Sequence, residues 1–165
     1  MSAQDGKPEA EKKPGGQKPR GNVSPRRRAR EFVVQGLYQW RVGGQDEAAI
    51  EAHLAEAEDF RRADRAMFET LLRGALRHHL ELFELLRPNL DRSVDELSPI
   101  EASILLLGAY ELRHHPETPY RVIINEAIEL AKTFGGTDGH KYVNGVLDKL
   151  APKLRAAEVA AGGRR

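Results

Sequence analysis

From Ser24 onward, apolar residues recur at spacings of three and four, and proline or glycine interrupts the pattern at most of its breaks. That period gathers side chains on one stripe of an α-helix, and no segment shows the convincing two-residue alternation of a half-buried strand. The pattern predicts an all-α chain. Ser24 and Pro25 read as N-cap and first helical residue, with Ala29, Phe32, Val33, Leu37 and Trp40 on one buried face and Gly43-Gly44 as the stop. Asp46 is placed to cap a second helix that carries Ile50 and Leu54 and runs out near Phe60. A third, from about Ala63 to Leu86, aligns Phe68, Leu72, Ala75, Leu76, His79, Phe83 and Leu86 before Pro88 stops it.

Ser98-Pro99-Ile100-Glu101 is a capping box with proline at the first helical position. The helix it opens, ending near His114 before Pro116, is apolar around most of its circumference. It is therefore either the central core helix or one with a second face docked on a partner. Thr118-Pro119 repeats the cap-plus-proline start for a helix through Val122, Ile123, Ile124, Ala127, Ile128, Leu130 and Phe134, which Gly135-Gly136 breaks. The last helix opens after Asp138, with Val143, Val146, Leu147 and Leu150 in register, and residues 155–165 are expected to fray as a flexible tail. Short links between these runs predict a compact bundle of six to seven helices.

Residues 1–23 carry no apolar period, so ordering them would cost backbone entropy with little burial in return, and a disordered basic tail is expected there. No apolar core follows its charges, so it does not read as a secretory signal, and no run of 18 apolar residues suggests a membrane span. Cysteine is absent, which excludes disulfides, thiolate metal sites and a cysteine nucleophile. Together these features point to the cytoplasm. Residues 1–30 hold nine Lys or Arg against three acidic residues, whereas the rest holds 17 against 22. A basic arm on a mildly acidic body suits phosphate at one end and a basic partner elsewhere.

Arg26, Arg27, Arg28 and Arg30 fall in the first turn and a half of the first helix, so they fan around its end. Arginine there runs against the macrodipole preference for acidic residues, a local cost that suggests selection for a ligand. Arg27, Glu31, Val34, Tyr38 and Arg41 form one stripe, since eleven residues return a helix to within about 20°. Cation and aromatic on one stripe suit single-stranded RNA; a solvated charged face is the plainer reading. Gly135 to Tyr142 lacks both nucleotide-loop patterns, but His140, Lys141 and Tyr142 at an exposed helix start suit a second RNA patch. His78-His79 and His114-His115 diverge by about 100° within each pair, the wrong geometry for shared ligation. No catalytic residue, metal site or cofactor is expected.

The stretch Tyr120-Arg-Val-Ile-Ile-Asn-Glu-Ala-Ile-Glu-Leu-Ala-Lys-Thr-Phe-Gly135, followed by His140-Lys-Tyr-Val-Asn-Gly-Val-Leu-Asp-Lys149, closely resembles the signature of the NusB family of bacterial transcription antitermination factors. Arg26 to Trp40 resembles that family's arginine-rich first helix, and Glu101 to Leu112 its central helix. The resemblance covers residues 24–154. It implies an all-α fold of two small helical subdomains. It also implies binding of the boxA element of ribosomal RNA precursors, together with the small-subunit ribosomal protein that doubles as NusE, on the elongating RNA polymerase complex. Carried over position by position, the RNA side would use Arg26, Arg27, Arg28, Arg30, Gln35 and Tyr38, with Asp138, Lys141 and Tyr142 at the last helix; Glu101 would face the partner protein. The family usually begins just before the arginines, whereas about 20 residues precede them here, and Tyr142 stands where phenylalanine is common.

Three rivals are weighed beside an RNA-binding adaptor. An rRNA cytosine methyltransferase carries a related N-terminal module but needs a parallel-sheet methyl-donor domain that this sequence lacks. A protein-only scaffold would leave the arginines merely solvated. A ribosome-assembly factor overlaps the leading reading.

Overall fold

The computed structural model describes residues 23–136 and 138–162. The tail expected at residues 1–23 lies, apart from Val23, outside the described residues. Four helix starts are fixed by a side chain that accepts an otherwise unpaired backbone N–H. Ser24, Asp46, Asp64 and Ser98 accept from Arg27, Ala49, Met67 and Glu101 at 3.1, 2.8, 3.0 and 3.1 Å. They open α1 (Pro25–Gly43), α2 (Glu47–Ala55), α3 (Arg65–Arg77) and α5 (Pro99–His114). The others are α4 (His79–Leu86), α6 (Tyr120–Phe134), α7 (Gly139–Leu154) and α8 (Ala156–Gly162), with 3₁₀ turns at Glu58–Arg62, Arg87–Asn89 and Val94–Glu96. No strand occurs among the described residues. At the end of α1, Gly44 takes the left-handed conformation (φ 65°) and its N–H returns to the Trp40 carbonyl at 3.0 Å.

The helix count exceeds the six to seven expected, for two physical reasons. The long third helix divides at His78, whose backbone leaves the helical region at φ −104°, ψ 14°. The His79 imidazole takes the Leu76 carbonyl at 2.7 Å, which withdraws that acceptor from the helical ladder, and Trp40 meets the same ring edge-on at 4.7 Å. The second reason is α8. Residues 155–162 form an anchored segment rather than the start of a frayed tail. The Arg155 guanidinium is buried and donates to the carbonyls of Glu111, Leu112, His115 and Thr118 at 2.8–3.1 Å, and to Glu158 at 2.7 Å. Those five bonds occupy all five of its donors and tie the start of α8 to the end of α5.

The start of α6 is also capped differently from the expected Thr118-Pro119 signal. Thr118 makes no cap bond; Glu158 of α8 accepts the Tyr120 N–H at 2.8 Å across 38 residues. Asp138, read as the N-cap of α7, likewise makes no side-chain cap bond.

Every residue of α5 from Ala102 to Leu112 is buried. It packs against α1, α3 and α4 on one side and α6 and α7 on the other, so its second apolar face meets this chain's own helices. The core is one continuous cluster through both halves, including Leu37, Ile50, Leu72, Leu105, Leu107, Leu147 and Leu150. Each such side chain contributes about 1.5–3 kcal/mol by leaving water. Gly74 of α3 leaves the space that the Tyr110 side chain of α5 fills, since a Cβ there would overlap its phenol.

Candidate nucleic-acid interface

α1 is held against α2, α3, α5, α6 and the Glu58–Arg62 turn, and this divides the arginine run. Arg26 is exposed. Arg27 is partly exposed, 40% for its side chain, and donates two hydrogen bonds to Glu126 of α6, both at 3.1 Å. The Glu126 hydrogen bond and charge hold its guanidinium more firmly protonated than usual, with Glu129 adding to the effect. Arg28 is only 4% exposed and reaches Asp59 at 3.3 Å. Arg30 is 2% exposed and bonds Glu111 of α5 through two hydrogen bonds at 3.0 and 2.7 Å. The four arginines therefore do not fan into solvent. Arg26 and Arg27 stay accessible, whereas Arg28 and Arg30 are buried, Arg30 against the buried Glu111 and Arg28 against the half-exposed Asp59.

The proposed stripe is corrected in the same way. Glu31 and Val34 lie under neighbouring helices at 5% and 0% exposure. Arg41 donates to the Val94 carbonyl at 3.1 Å and lies over the Phe83 ring at 5.2 Å. Tyr38 remains exposed, with Gln35 half-buried one turn earlier. Of the cationic and aromatic candidates on α1, those that face solvent are thus Arg26 and Arg27 near its start and Tyr38 about 16 Å further along the axis, at 1.5 Å per residue.

At the start of α7, Lys141 and Asp138 are exposed and paired at 3.4 Å. Tyr142 is half-buried, and Arg92 lies over its ring at 4.4 Å from the centroid. Arg92 is itself held by Asp91 at 2.7 and 3.2 Å. Burial pushes the Tyr142 phenol upward, with the neighbouring Asp91 carboxylate contributing. Arg92 escaped the sequence reading because a lone arginine in a short loop has no periodic context; only the fold brings it onto the aromatic ring. Glu101, at the first turn of α5, is close enough to Arg92 to raise its pKa, although less than Asp91 does. Glu101 thus adjoins the α7 patch. One of its carboxylate oxygens is buried without a partner, so the capping box is closed on the Ser98 side alone.

The two patches lie toward opposite ends of α5. The Arg30–Glu111 pair sets the start of α1 beside the C-terminal end of α5, whereas Arg92 and Tyr142 gather near Glu101 at its N-terminal end. Any single ligand reaching both must be extended.

Histidines behave as expected within each adjacent pair but not between pairs. His78 and His114 stack at 4.3 Å between ring centroids. Burial, then the neighbouring His78, depresses the His114 pKa.

Among the described residues, no helix is long and apolar enough to cross a membrane. A model of the NusB family matches residues 27–152. The transcription antitermination protein NusB of Dechloromonas aromatica (strain RCB) is 64% identical over 138 residues, which cover 84% of this chain and 85% of that protein. A crystal form of T. maritima NusB superposes with a TM-score of 0.69 at 32% identity, covering 79% of this chain and 92% of that one. The crystal structure of the antitermination factors NusB and NusE in complex with dsRNA matches with a TM-score of 0.69 at 24% identity, covering 78% and 97%; at that identity the likeness concerns the fold.

Proposed function

The chain belongs to the NusB family, and on that premise we propose that it is an RNA-binding transcription antitermination factor rather than an enzyme. It binds the boxA element of ribosomal RNA transcripts together with the small-subunit ribosomal protein acting as NusE, and it supports processive rRNA synthesis by joining the elongating RNA polymerase complex. The observation that carries this reading is that the family match runs from Arg27 in α1 to Pro152 in α7, so it spans both cationic patches apart from Arg26. Arg26 and Arg27 supply phosphate contacts at one end. Gln35 and Tyr38 continue the path, with Tyr38 offering a ring for base stacking. Lys141, Asp138 and Tyr142 receive the RNA at the other end, with Arg92 available beside them. Arg28 and Arg30 serve the site by fixing the angle of α1. Glu101, adjoining that second end, faces the protein partner.

Phosphate contacts give affinity and base contacts give preference. The test is a binding series with single-stranded boxA-type RNA and its duplex, with and without the ribosomal protein, across salt. Tighter binding in the presence of the protein, with a slope of about −0.7 in log K per phosphate neutralised on the single strand, is expected. Affinity for single strand and duplex that the protein leaves unchanged would overturn the joint-recognition reading.

A further inference from the structure

The break between α3 and α4 lies against the C-terminal end of α5, and three side chains with metal-binding atoms converge there. They are His78 at the break, Glu81 in the first turn of α4 and His114 at the end of α5. Their candidate ligand atoms all lie within 4.8 Å of one another. His78 Nδ1 stands 3.6 Å from Glu81 Oε2. Four donors around a tetrahedral zinc ion, with bonds of about 2.0–2.1 Å, stand roughly 3.3–3.4 Å apart, so this pair is already near a shared bite, whereas His114, stacked on the His78 ring at 4.3 Å between centroids, must turn out of that stack for its in-plane lone pair to reach the same ion.

Two further observations favour a ligand. His114 Nε2 is buried without a hydrogen-bond partner among the described residues, an uncommon state for a polar atom that could have been satisfied. The second Glu81 oxygen is held by Arg113 at 3.4 Å, which leaves Oε2 free to ligate while Oε1 is steered from outside. The site is accessible, since the His78 and Glu81 side chains are 35% and 44% exposed. Tyr110 borders it, 5.1 Å from the His114 ring.

We propose that His78, Glu81 and His114 form a binding site for one divalent transition-metal ion, of which zinc fits best. Two imidazoles and one carboxylate form a borderline donor set without thiolate, leaving room for water at a fourth position. None of the residues assigned to RNA takes part. The ion would act as a clip, joining α4 to α5 where the α3–α4 ladder is interrupted.

The experiment uses the untagged full chain, titrated with Co²⁺ and followed by its visible absorption, then with Zn²⁺ by calorimetry and thermal melting. The expected result is a single Co²⁺ per chain, displaced by Zn²⁺, and a melting temperature that rises with Zn²⁺ because the ion binds the folded state. His78→Gln and Glu81→Gln, both at accessible positions, should each weaken binding roughly tenfold or more, about 1.4 kcal/mol, while His53→Gln and His140→Gln leave it unchanged. Circular dichroism establishes that each variant is folded. Absence of saturable one-to-one binding, or binding that survives the combined His78→Gln and Glu81→Gln change, would overturn the proposal.

Discussion

Arg30 on α1 and Glu111 on α5 grip one another through two parallel hydrogen bonds, Nε to Oε2 at 3.0 Å and Nη2 to Oε1 at 2.7 Å, with both side chains 3% exposed. A charge pair this deep has surrendered its hydration, so either partner left alone is costly. Arg30→Ala or Glu111→Ala should destabilise the fold by about 3–5 kcal/mol, read as a lower midpoint in urea denaturation. Replacing both by apolar residues of similar volume, Arg30→Met with Glu111→Leu, should recover most of that loss. A single variant as stable as the parent would mean the pair does not fix α1.

Arg27 gives the opposite result because its pair is half open. Arg27→Ala should weaken all RNAs alike and flatten the salt slope, with little change in melting temperature. Glu126→Gln removes the carboxylate that competes with phosphate for the same guanidinium. It should tighten RNA binding severalfold. Electrophoretic or anisotropy titrations at two salt concentrations measure both effects.

Tyr38 tests stacking separately from charge. Tyr38→Ala should cost roughly 1–3 kcal/mol of RNA affinity with the salt slope unchanged. If affinity is unaltered, the exposed ring is not part of the RNA path.

The Glu158 cap links stability to acid. The Tyr120 N–H and the Arg155 guanidinium favour its charged form and lower its pKa, against a desolvation effect in the other direction. A depressed carboxylate contributes stability above its unfolded value, near pH 4.3, and loses that contribution as pH falls through the folded value. Glu158→Ala should cost about 0.5–2 kcal/mol at neutral pH. The difference from the parent should shrink below about pH 4.3, as followed by thermal melts across pH.

Gly74 is a packing requirement. Gly74→Ala places a methyl group within the space of the Tyr110 ring, and overpacking of this kind costs about 1–3 kcal/mol. The melting temperature should fall accordingly.

The helices were legible where they depended on local chemistry. Ser24, Asp46 and Ser98 were readable because a cap bonds three residues away. The Glu158 cap of α6 was not, because its partner lies 38 residues off and no local signal encodes it. The break at His78 depends on one imidazole taking one carbonyl, which periodicity does not register. Within the candidate site, Arg26, Arg27 and Tyr38 face solvent as their positions suggested. Arg28 and Arg30 could not be told from them by type or spacing, because their acids, Asp59 and Glu111, are 31 and 81 residues away. Long-range charge pairing, unlike apolar periodicity, leaves no trace in a local window.

The central claim is that the outward arginines at the start of α1 grip a particular RNA. The direct measurement is an anisotropy titration of labelled boxA-type and scrambled RNAs, with the parent chain and an Arg26→Ala, Arg27→Ala double variant, over a salt series. The account predicts that the parent prefers the boxA-type RNA. It also predicts that the double variant loses affinity for both RNAs by the same factor, with a salt slope smaller by about 1.4, two phosphates at 0.7 each. Equal binding of the two RNAs by the parent, or a double variant that binds as the parent does, would contradict it.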